Sequence, residues 1–335
     1  MVSIFQLGQE KSTNAEKLEN AYLECETIAR NASSSFFRSF RHLPIHKRRA
    51  VNSLYAFCRR VDDIVDGDWL PDTDLSHLDQ QTIDRSYQLS LDKQLEVINL
   101  EDNHHNKLRA LLWYRLNLDK IESGIRVNEP IFIALSDVIK KYPVELDHLR
   151  ELIFGMEDDL FKIKYERFED LRRYCYRVAS TVGLCLVEIY GYNNPKARRY
   201  AVEMGIYLQM VNVLRDIQED LSRDRVYLPT EELAKFGLSR KDLKSETLPH
   251  SKGWQEFIRH YLDHVMAHRK SAVTLLPLLD KDARYSPSLM CAAYDAILEE
   301  AMKRNGDVFT RRLTMSLYRK MQFALGIIRK PRLEI

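Results

Sequence analysis

Four polar side chains in the segment YAFCRRVDDIVD have a spacing that suits metal and phosphate chemistry. Asp62 and Asp66 are four residues apart, so a helix would place their carboxylates one turn apart on one face. Tyr55 and Arg59 precede them at spacings that keep them on the same face. Two such carboxylates suit a hard divalent cation that keeps several waters. Taken alone, the pair is more typical of a solvent-facing surface.

A second polar stripe lies in the segment LQMVNVLRDIQED. Its members follow spacings of three, four and four: Gln209, Asn212, Asp216 and Asp220. The surrounding helix is otherwise apolar between Ala201 and Leu214. Polar residues that continue an apolar stripe indicate a cavity with a charged mouth rather than bulk solvent.

The two acidic stripes together favour a diphosphate site over two ordinary surfaces. If the two helices faced each other, four carboxylates would form a cage that attracts Mg²⁺, and Mg²⁺ in turn attracts phosphates. Arg59 and Arg215 lie beside these aspartates and could form charge-assisted hydrogen bonds with phosphate oxygens.

A third segment, YCYRVASTVGLCLVEIYG, allows two interpretations. Four of its residues step by four along one helical face: Tyr174, Val178, Val182 and Leu186. Ala179 and Gly183 lie on the adjacent edge. Ordinary tight helix packing explains this spacing at least as well as an apolar tunnel wall with a tyrosine hydroxyl at its end.

Composition restricts the classes of protein that the chain can represent. The 335 residues include 51 Lys and Arg against 49 Asp and Glu, so no basic field argues for nucleic acid. Only 11 glycines and 10 prolines occur, well below the usual combined share of about 12%, which favours helices. The five cysteines form no CxxC pair, so we expect neither a disulfide framework nor a zinc site. This pattern favours a protein of the reducing cytoplasm. No secretory signal or membrane span is expected.

Hydrophobic periodicity predicts one all-α domain over residues 1–335, with its core at about 15–330. Short helices and turns are expected over 230–252. The longer helices are expected at about 15–30, 47–66, 84–99, 106–123, 129–141, 145–162, 168–191, 195–222, 253–278, 286–304 and 307–329.

Six blocks, in order, resemble the squalene/phytoene synthase family of head-to-head (1′–1) isoprenyl diphosphate condensing enzymes. They are SSSFFRSF with HLP, YAFCRRVDDIVD, GMEDDL, YCYRVASTVGL, NVLRDIQEDLSRDRVYLP and AYDAILEEAMKRNGDVF. The resemblance covers about residues 29–329. It implies a single all-α isoprenoid synthase domain, a helical bundle around a central cavity.

The resemblance also implies roles for individual residues. Mg²⁺, or Mn²⁺, would be bound by Asp62, Asp66, Asn212, Asp216 and Asp220. Diphosphate would be contacted or covered by Tyr55, Arg59, Arg215, Arg225 and Tyr227. Residues implied to flank or line the substrate cavity are Ser33, Phe36, Phe40, Val178, Val182, Gly183, Leu186 and Gln209. Tyr174 corresponds to a tyrosine that is implicated in the first half-reaction of the family. Glu219 is a family position too, but its spacing places it off the acidic stripe.

The implied reaction has two stages. Loss of diphosphate from one allylic substrate leaves a carbocation, which the double bond of a second prenyl diphosphate attacks, and proton loss closes a cyclopropane. Either Tyr174 or the departing diphosphate is the base. A second ionisation and rearrangement then ends in squalene by hydride transfer, or in phytoene or dehydrosqualene by proton loss.

YCYRVASTVGL and KRNGDVF look most like bacterial presqualene diphosphate and squalene synthases. The resemblance therefore implies farnesyl diphosphate as the substrate, in carotenoid or hopanoid biosynthesis. The alternative is a phytoene synthase that uses two geranylgeranyl diphosphates. Whether the enzyme uses NADPH remains open. No GxGxxG motif occurs, but squalene synthases bind NADPH without that motif. We expect a cytoplasmic enzyme with peripheral membrane contact for product release, and the sequence predicts no oligomeric state.

Four other classes of protein remain as alternatives. A head-to-tail prenyl synthase would use DDxxD, which Asp62, Asp63 and Asp66 formally match, and a terpene cyclase would use similar acidic pairs. A non-catalytic relative of the same fold would have lost acidic residues that are intact here. A helical scaffold without a metal site would be insensitive to changes at Asp216.

Overall fold

The computed structural model describes residues 4–32, 35–87, 91–161, 163–316, 319–321 and 325, and over these residues it is all-α, as predicted. An isolated antiparallel bridge joins Tyr192 and Leu279. The α-helices are α1 (Ile4–Asn31), α2 (Ser35–Phe40), α3 (Ile45–Asp66), α4 (Gln80–Tyr87), α5 (Leu91–Ile98), α6 (Asp102–Glu122), α7 (Pro130–Lys141), α8 (Leu146–Glu157), α9 (Phe168–Cys175), α10 (Thr181–Tyr190), α11 (Lys196–Arg215), α12 (Ile217–Ser222), α13 (Thr230–Lys235), α14 (Lys252–Ala272) and α15 (Tyr285–Lys303).

The described residues group into two compact units. The first unit comprises residues up to Phe40 together with Pro44–Phe161, and the second comprises Arg41–Leu43 together with the residues after Phe161. The expectation of a single domain remains a prediction.

In the first unit, α3 packs against α1, α6, α7 and α8. Its apolar side is the one that the sequence predicts, since Val51, Leu54 and Val61 are fully buried. An aromatic cluster adds to this core, with the ring of Phe57 lying 5.3 Å from Tyr114 and 6.1 Å from Phe132. The buried side of α3 therefore fixes the direction in which its polar stripe faces.

In the second unit, α11 packs against α9, α10, α14 and α15. The helices approach closely at Gly205, where an added Cβ would lie 2.5 Å from the Cα of Ser180. The Ser180 hydroxyl donates a hydrogen bond to the Val202 carbonyl at 2.7 Å. A partly buried ion pair joins Arg269 of α14 to Asp295 of α15, with Nε–Oδ1 at 2.6 Å.

Several predicted helices differ from the structure, including the one predicted over 253–278, which continues as a 3-10 helix at Val273–Leu278. The helix predicted over 168–191 contains a π-helical turn at Tyr176–Ser180, at the point of close contact with α11. The helix predicted over 195–222 is interrupted at Asp216, where φ is −105° and ψ is 11°. The helix predicted to start at 307 is absent over 307–316, because Asn305 and Gly306 adopt positive φ and end α15.

All five cysteines are thiols, and Cys25, Cys175, Cys185 and Cys291 are buried. Burial raises the pKa of the Cys25 thiol to about 12. The pKa of Cys58, on the less buried side of α3, is raised to about 12, also by burial. Within the ranges that the structure covers, none of the helices combines the length and apolar character needed to cross a membrane.

Candidate active site

The first acidic motif lies at the end of α3. Tyr55, Arg59, Asp62 and Asp66 are all half-buried, whereas the opposite side of the helix is buried. The helix ends at Gly67, whose φ of 87° is left-handed and whose N–H bonds to the carbonyls of Asp63 and Ile64. The structure thus places the four predicted residues on one accessible stripe.

Asp63 differs from its two neighbouring aspartates because it is buried. Its carboxylate lies 2.5 Å from Arg59 and 3.2 Å from Arg60. Its backbone carbonyl accepts hydrogen bonds from Gly67 and Asp68. Asp63 therefore secures the end of α3, which argues against a DDxxD site that needs all three carboxylates.

Phe36 and Phe40 of α2 lie close to Tyr55. Ring centroids are 6.2 Å apart for Phe36 and Tyr55 and 5.9 Å apart for Phe40 and Tyr55. Phe40 is buried and Phe36 is half-buried. The segment SFFRSF therefore packs beside the first acidic motif, while Ser33, predicted in the same segment, lies outside the described residues.

The second acidic motif follows one side of α11 and α12. Gln209, Asn212, Asp216 and Asp220 are half-buried, so the predicted polar stripe is present despite the interruption at Asp216. The Asn212 amide donates to Gln209 Oε1 at 3.1 Å. Asn212 Oδ1, in contrast, is buried and has no hydrogen-bond partner within the described part of the chain. A buried acceptor in this state is suited to a ligand that the protein alone does not supply.

Asp216 is held by two arginines. Arg215 reaches Asp216 through Nε at 2.9 Å and through Nη2 at 2.5 Å. Arg312, 96 positions along the chain, donates to Asp216 Oδ1 at 3.0 and 2.6 Å and also lies 3.2 Å from Glu219. Glu219 is exposed and also lies 3.6 Å from Arg223, in keeping with its predicted position off the stripe.

Tyr294 of α15 joins this group from a distant part of the sequence. Its hydroxyl forms side-chain hydrogen bonds with Asn212 and Arg215. Burial raises the pKa of Tyr294, and these two donors only partly oppose that rise. The hydroxyl therefore stays protonated at neutral pH beside the second acidic motif.

Tyr174 and Tyr227, predicted separately, are in contact. Their rings stack with centroids 4.7 Å apart, and both side chains are buried. Tyr227 follows Arg225, whose backbone N–H bonds to the Asp220 carbonyl at 2.8 Å. The loop after α12 therefore connects the second acidic motif to Tyr174.

The residues predicted to line the substrate cavity have different surroundings. Val178, in the π-helical turn, is buried, whereas Val182 and Leu186 are half-buried. An added Cβ on Gly183 would lie 2.9 Å from the Ala201 carbonyl oxygen, so this glycine permits close approach of α10 to α11. The π-helical turn also shifts the register between Tyr174 and Val182, so they no longer follow the regular α-helical stripe that the spacing predicts.

The donor atoms of both motifs fit Mg²⁺. Carboxylate and amide oxygens are the ligands that this hard cation prefers, and the unpartnered Asn212 Oδ1 is such an oxygen. Among the described side chains, no group of three or more His, Cys, Asp or Glu is arranged to hold a metal ion by itself. Mg²⁺ in proteins is usually bound by one or two carboxylates and keeps several waters, so it does not require a group of that size.

Sequence reasoning missed four residues that the structure places at the acidic motifs or beside Tyr174 and Tyr227. Lys107 donates to the Val65 carbonyl at 2.8 Å, beside the end of α3. Tyr294 and Arg312 contact the second acidic motif, and the ring of Tyr165 lies 5.3 Å from that of Tyr174 and 5.7 Å from that of Tyr227. Tyr294 lies in the block AYDAILEEAMKRNGDVF, which gave a signal for the family but not for this residue. Apart from the contact of Tyr165 with Tyr174, these contacts join residues that are far apart in the sequence, and spacing within one helix cannot reveal them.

Comparison with known proteins defines the class of protein. A family model described as squalene/phytoene synthase matches residues 29–319. The chain is 30% identical over 316 residues to a 15-cis-phytoene synthase of Synechococcus elongatus, an alignment that covers 91% of each chain. It is 29% identical to phytoene synthase 2, chloroplastic, of Solanum lycopersicum, which covers 92% of this chain and 90% of the tomato protein.

Solved structures show the same fold. A dehydrosqualene synthase in complex with a ligand superposes with a TM-score of 0.75 at 25% identity and covers 93% of this chain and 96% of that one. Squalene synthase HpnC from Alicyclobacillus acidocaldarius superposes with a TM-score of 0.69 at 24% identity, covering 86% and 95%. The fold is thus the all-α isoprenoid synthase fold.

The chain belongs to the squalene/phytoene synthase family. It is therefore a prenyltransferase of the class that joins prenyl diphosphates head to head, a class whose members bind these substrates with a divalent metal ion. The resemblance that the six sequence blocks predicted is confirmed.

Proposed function

We propose that this enzyme condenses two farnesyl diphosphates into presqualene diphosphate and converts that intermediate to squalene or dehydrosqualene. The observation that carries the proposal is the half-buried stripe of Asn212, Asp216 and Asp220 beside Arg215. Hard oxygen donors next to a guanidinium are what a Mg²⁺-bound diphosphate requires. The packed helix α11, which buries its apolar side chains against its neighbours, provides the rigid support that such a site needs.

The proposed roles are those that the family resemblance implies, and the chemistry of each group suits them. The residues that would hold Mg²⁺ or Mn²⁺ are Asp62, Asp66, Asn212, Asp216 and Asp220. When bound, the metal neutralises diphosphate charge and so assists its departure. Arg59, Arg215 and Arg225 bind phosphate oxygens, Tyr55 and Tyr227 contact or cover the diphosphate, and Tyr174 serves the first half-reaction.

Apolar side chains would protect the carbocation from water. Val178, Val182 and Leu186 are proposed to line the hydrocarbon chain, with Gln209, Gly183, Phe36 and Phe40 beside it. Exclusion of water matters because a carbocation in contact with water is captured as an alcohol.

Similarity to a dehydrosqualene synthase supports the choice of farnesyl diphosphate, because dehydrosqualene is a C30 hydrocarbon that two C15 units supply. A phytoene synthase reaction with two geranylgeranyl diphosphates is the second candidate. It is favoured by the names of the curated relatives. NADPH is required only if the product is squalene, since dehydrosqualene and phytoene form by proton loss.

A product assay tests the proposal. Purified protein would be incubated with farnesyl or geranylgeranyl diphosphate and Mg²⁺, with and without NADPH, and extracts would be dephosphorylated and separated by gas chromatography with mass detection. We expect a C30 product, and its dependence on NADPH identifies the last step. A C40 product from geranylgeranyl diphosphate alone would replace the first candidate with the second. No product from either substrate would contradict both.

We further propose that the enzyme is cytoplasmic and touches a membrane peripherally when it releases its apolar product. Flotation with anionic lipid vesicles tests this contact. Protein that stays at the bottom of the gradient, with and without substrate, would contradict it.

A further inference from the structure

Tyr165 contacts both tyrosines of the candidate active site. Its ring centroid lies 5.3 Å from that of Tyr174 and 5.7 Å from that of Tyr227. Because Tyr174 and Tyr227 also stack on each other, the three rings form one cluster, called here the tyrosine cluster. All three side chains are buried.

The backbone of Tyr165 and of the next residue is fixed to α13. The Tyr165 carbonyl accepts a hydrogen bond from the Thr230 N–H at 3.0 Å, and the Glu166 carbonyl accepts one from the Glu231 N–H at 3.0 Å. An ion pair between Arg167 and Glu231 at 2.9 Å adds a side-chain contact. Tyr165 is thereby held against the segment that begins just after Tyr227.

The same stretch is also fixed to α9, which carries Tyr174. The Asp170 carboxylate accepts hydrogen bonds from the N–H groups of Glu166 and Arg167, at 3.2 and 3.0 Å. Tyr174 lies one helical turn after Asp170. Tyr165 therefore has a defined position relative to Tyr174 and to Tyr227.

We propose that Tyr165 is a positioning residue for the head-to-head reaction. The ring of Tyr165 packs against the ring of Tyr174, and the ring of Tyr227 stacks on Tyr174 as well. These contacts keep the Tyr174 hydroxyl in one orientation during the first half-reaction. The inference rests on the proposed function and assigns Tyr165 no contact with substrate. It acts through Tyr174, and its ring rather than its hydroxyl carries the effect.

Two substitutions at Tyr165 separate the ring from the hydroxyl. Tyr165→Leu removes the aromatic contacts, and we expect kcat to fall by about 10- to 100-fold with KM within about 2-fold of wild type, because a small displacement of a reacting group is costly. Tyr165→Phe keeps the ring and should restore at least about half of the wild-type kcat. A Tyr165→Phe variant as impaired as Tyr165→Leu would overturn the role of the ring.

A matched control is Tyr114→Leu, which removes a buried tyrosine from the aromatic cluster of the first unit. It should lower thermal stability while leaving the kcat of the folded protein within about 2-fold of wild type. An equal loss of kcat in Tyr114→Leu and Tyr165→Leu would mean that Tyr165 is merely structural.

A further readout uses the cyclopropyl intermediate itself. When presqualene diphosphate is supplied directly, Tyr165→Leu should convert it at the wild-type rate, because Tyr174 serves the first half-reaction. Equal slowing of both half-reactions would overturn the inference. If the wild-type protein forms no product, the proposed function is contradicted as well. If the wild type is active and Tyr165→Leu has the same kcat, the inference alone is contradicted.

Discussion

At the scale of single residues, the Asp216 carboxylate has both of its oxygens engaged by guanidinium groups. Arg215 binds Oδ1 and Oδ2, and Arg312 binds Oδ1. Arg312 is 55% exposed in its side chain, so its pair is screened by solvent more than that of Arg215, which is 24% exposed. A metal ion that binds Asp216 would therefore displace Arg312, the more weakly held partner, more easily than Arg215.

Asp216→Asn should remove catalysis while the fold persists. The amide keeps the size of the side chain but not the charge, so we expect the circular dichroism spectrum of wild type and at least about a 100-fold loss of Mg²⁺-dependent turnover. Steady-state assays with prenyl diphosphate measure this loss. Retained turnover would contradict the assignment of the second acidic motif.

Arg312→Gln should strengthen metal binding in the absence of diphosphate. Removal of one competing cation makes Asp216 more available, and an exposed pair of this kind corresponds to about 2- to 5-fold in affinity. Titration with Mn²⁺, followed by the electron paramagnetic resonance signal of the unbound ion, measures the change. Arg223→Gln, which leaves Asp216 untouched, is the control, and equal affinities for Arg312→Gln and wild type would refute the competition.

Several residues of the site could be predicted because they lie on one helical stripe. Asp62 and Asp66, like Asn212 and Asp216, follow spacings that a helix turns into neighbours. Arg312 could not be predicted in this way. It reaches Asp216 from a segment whose position depends on where α15 ends.

At the scale of elements, the contact between α11 and the π-helical turn supports the second acidic motif. Gly205 allows the backbone of α11 to approach Ser180. The wider turn at Tyr176–Ser180 lies between Tyr174 and the half-buried Val182. Close packing at Gly205 thus places α11 against the stretch that carries several candidate site residues.

Gly205→Ala should destabilise the protein even though alanine favours helices. The new Cβ would meet the Ser180 backbone at 2.5 Å, and forced overpacking costs about 1–3 kcal/mol. Urea unfolding measures the free energy of unfolding. Gly183→Ala, whose Cβ meets one carbonyl oxygen at 2.9 Å, is the matched control and should cost less. A Gly205→Ala protein as stable as wild type would contradict this account.

The presence of a helix could be predicted from the sequence, but an irregular turn within a helix could not. The amphipathic pattern of α3 predicted both its range and its buried side, since Val51, Leu54 and Val61 are buried. The same periodicity continues through Tyr176–Ser180 and gave no sign of the π-helical turn. That turn lies where another helix packs closely, and local sequence does not encode such a contact.

At the scale of the whole molecule, a histidine stripe on α14 makes stability depend on pH. His264 stacks on Phe168 with ring centroids 3.7 Å apart. Burial lowers the pKa of His264, and the neighbouring His260 and His268 add to this effect, while Glu232 and Asp263 oppose it. Glu232 lies 3.3 Å from His260, and Glu203 of α11 lies 2.7 Å from His268.

The free energy of unfolding should fall as the pH drops below 6.5, which is the pKa of a histidine side chain in the unfolded protein. Between that value and the lower pKa of folded His264, the unfolded chain binds a proton that the folded protein resists. Urea unfolding at about pH 7.5 and about pH 5.5 measures the loss. His264→Phe should lose less stability over this interval, and an identical slope in both proteins would contradict the assignment.

The fold class was predictable from composition and periodicity because few glycines and prolines interrupt the helical patterns. The family was predictable because its blocks are contiguous stretches, and the match over 29–319 spans residues of both compact units. The choice between C15 and C20 substrates was not predictable, since it depends on the depth of the expected substrate cavity, and spacing along a helix does not give a depth.

The state of the cysteines bears on how the enzyme can be followed in solution. With the pKa of Cys25 and Cys58 at about 12, almost none of either thiol is the reactive thiolate at neutral pH. The other three cysteines are buried and out of reach of alkylating reagents. A single cysteine added to an exposed loop should therefore take up a maleimide dye selectively, and fluorescence could report substrate binding without replacing any native thiol.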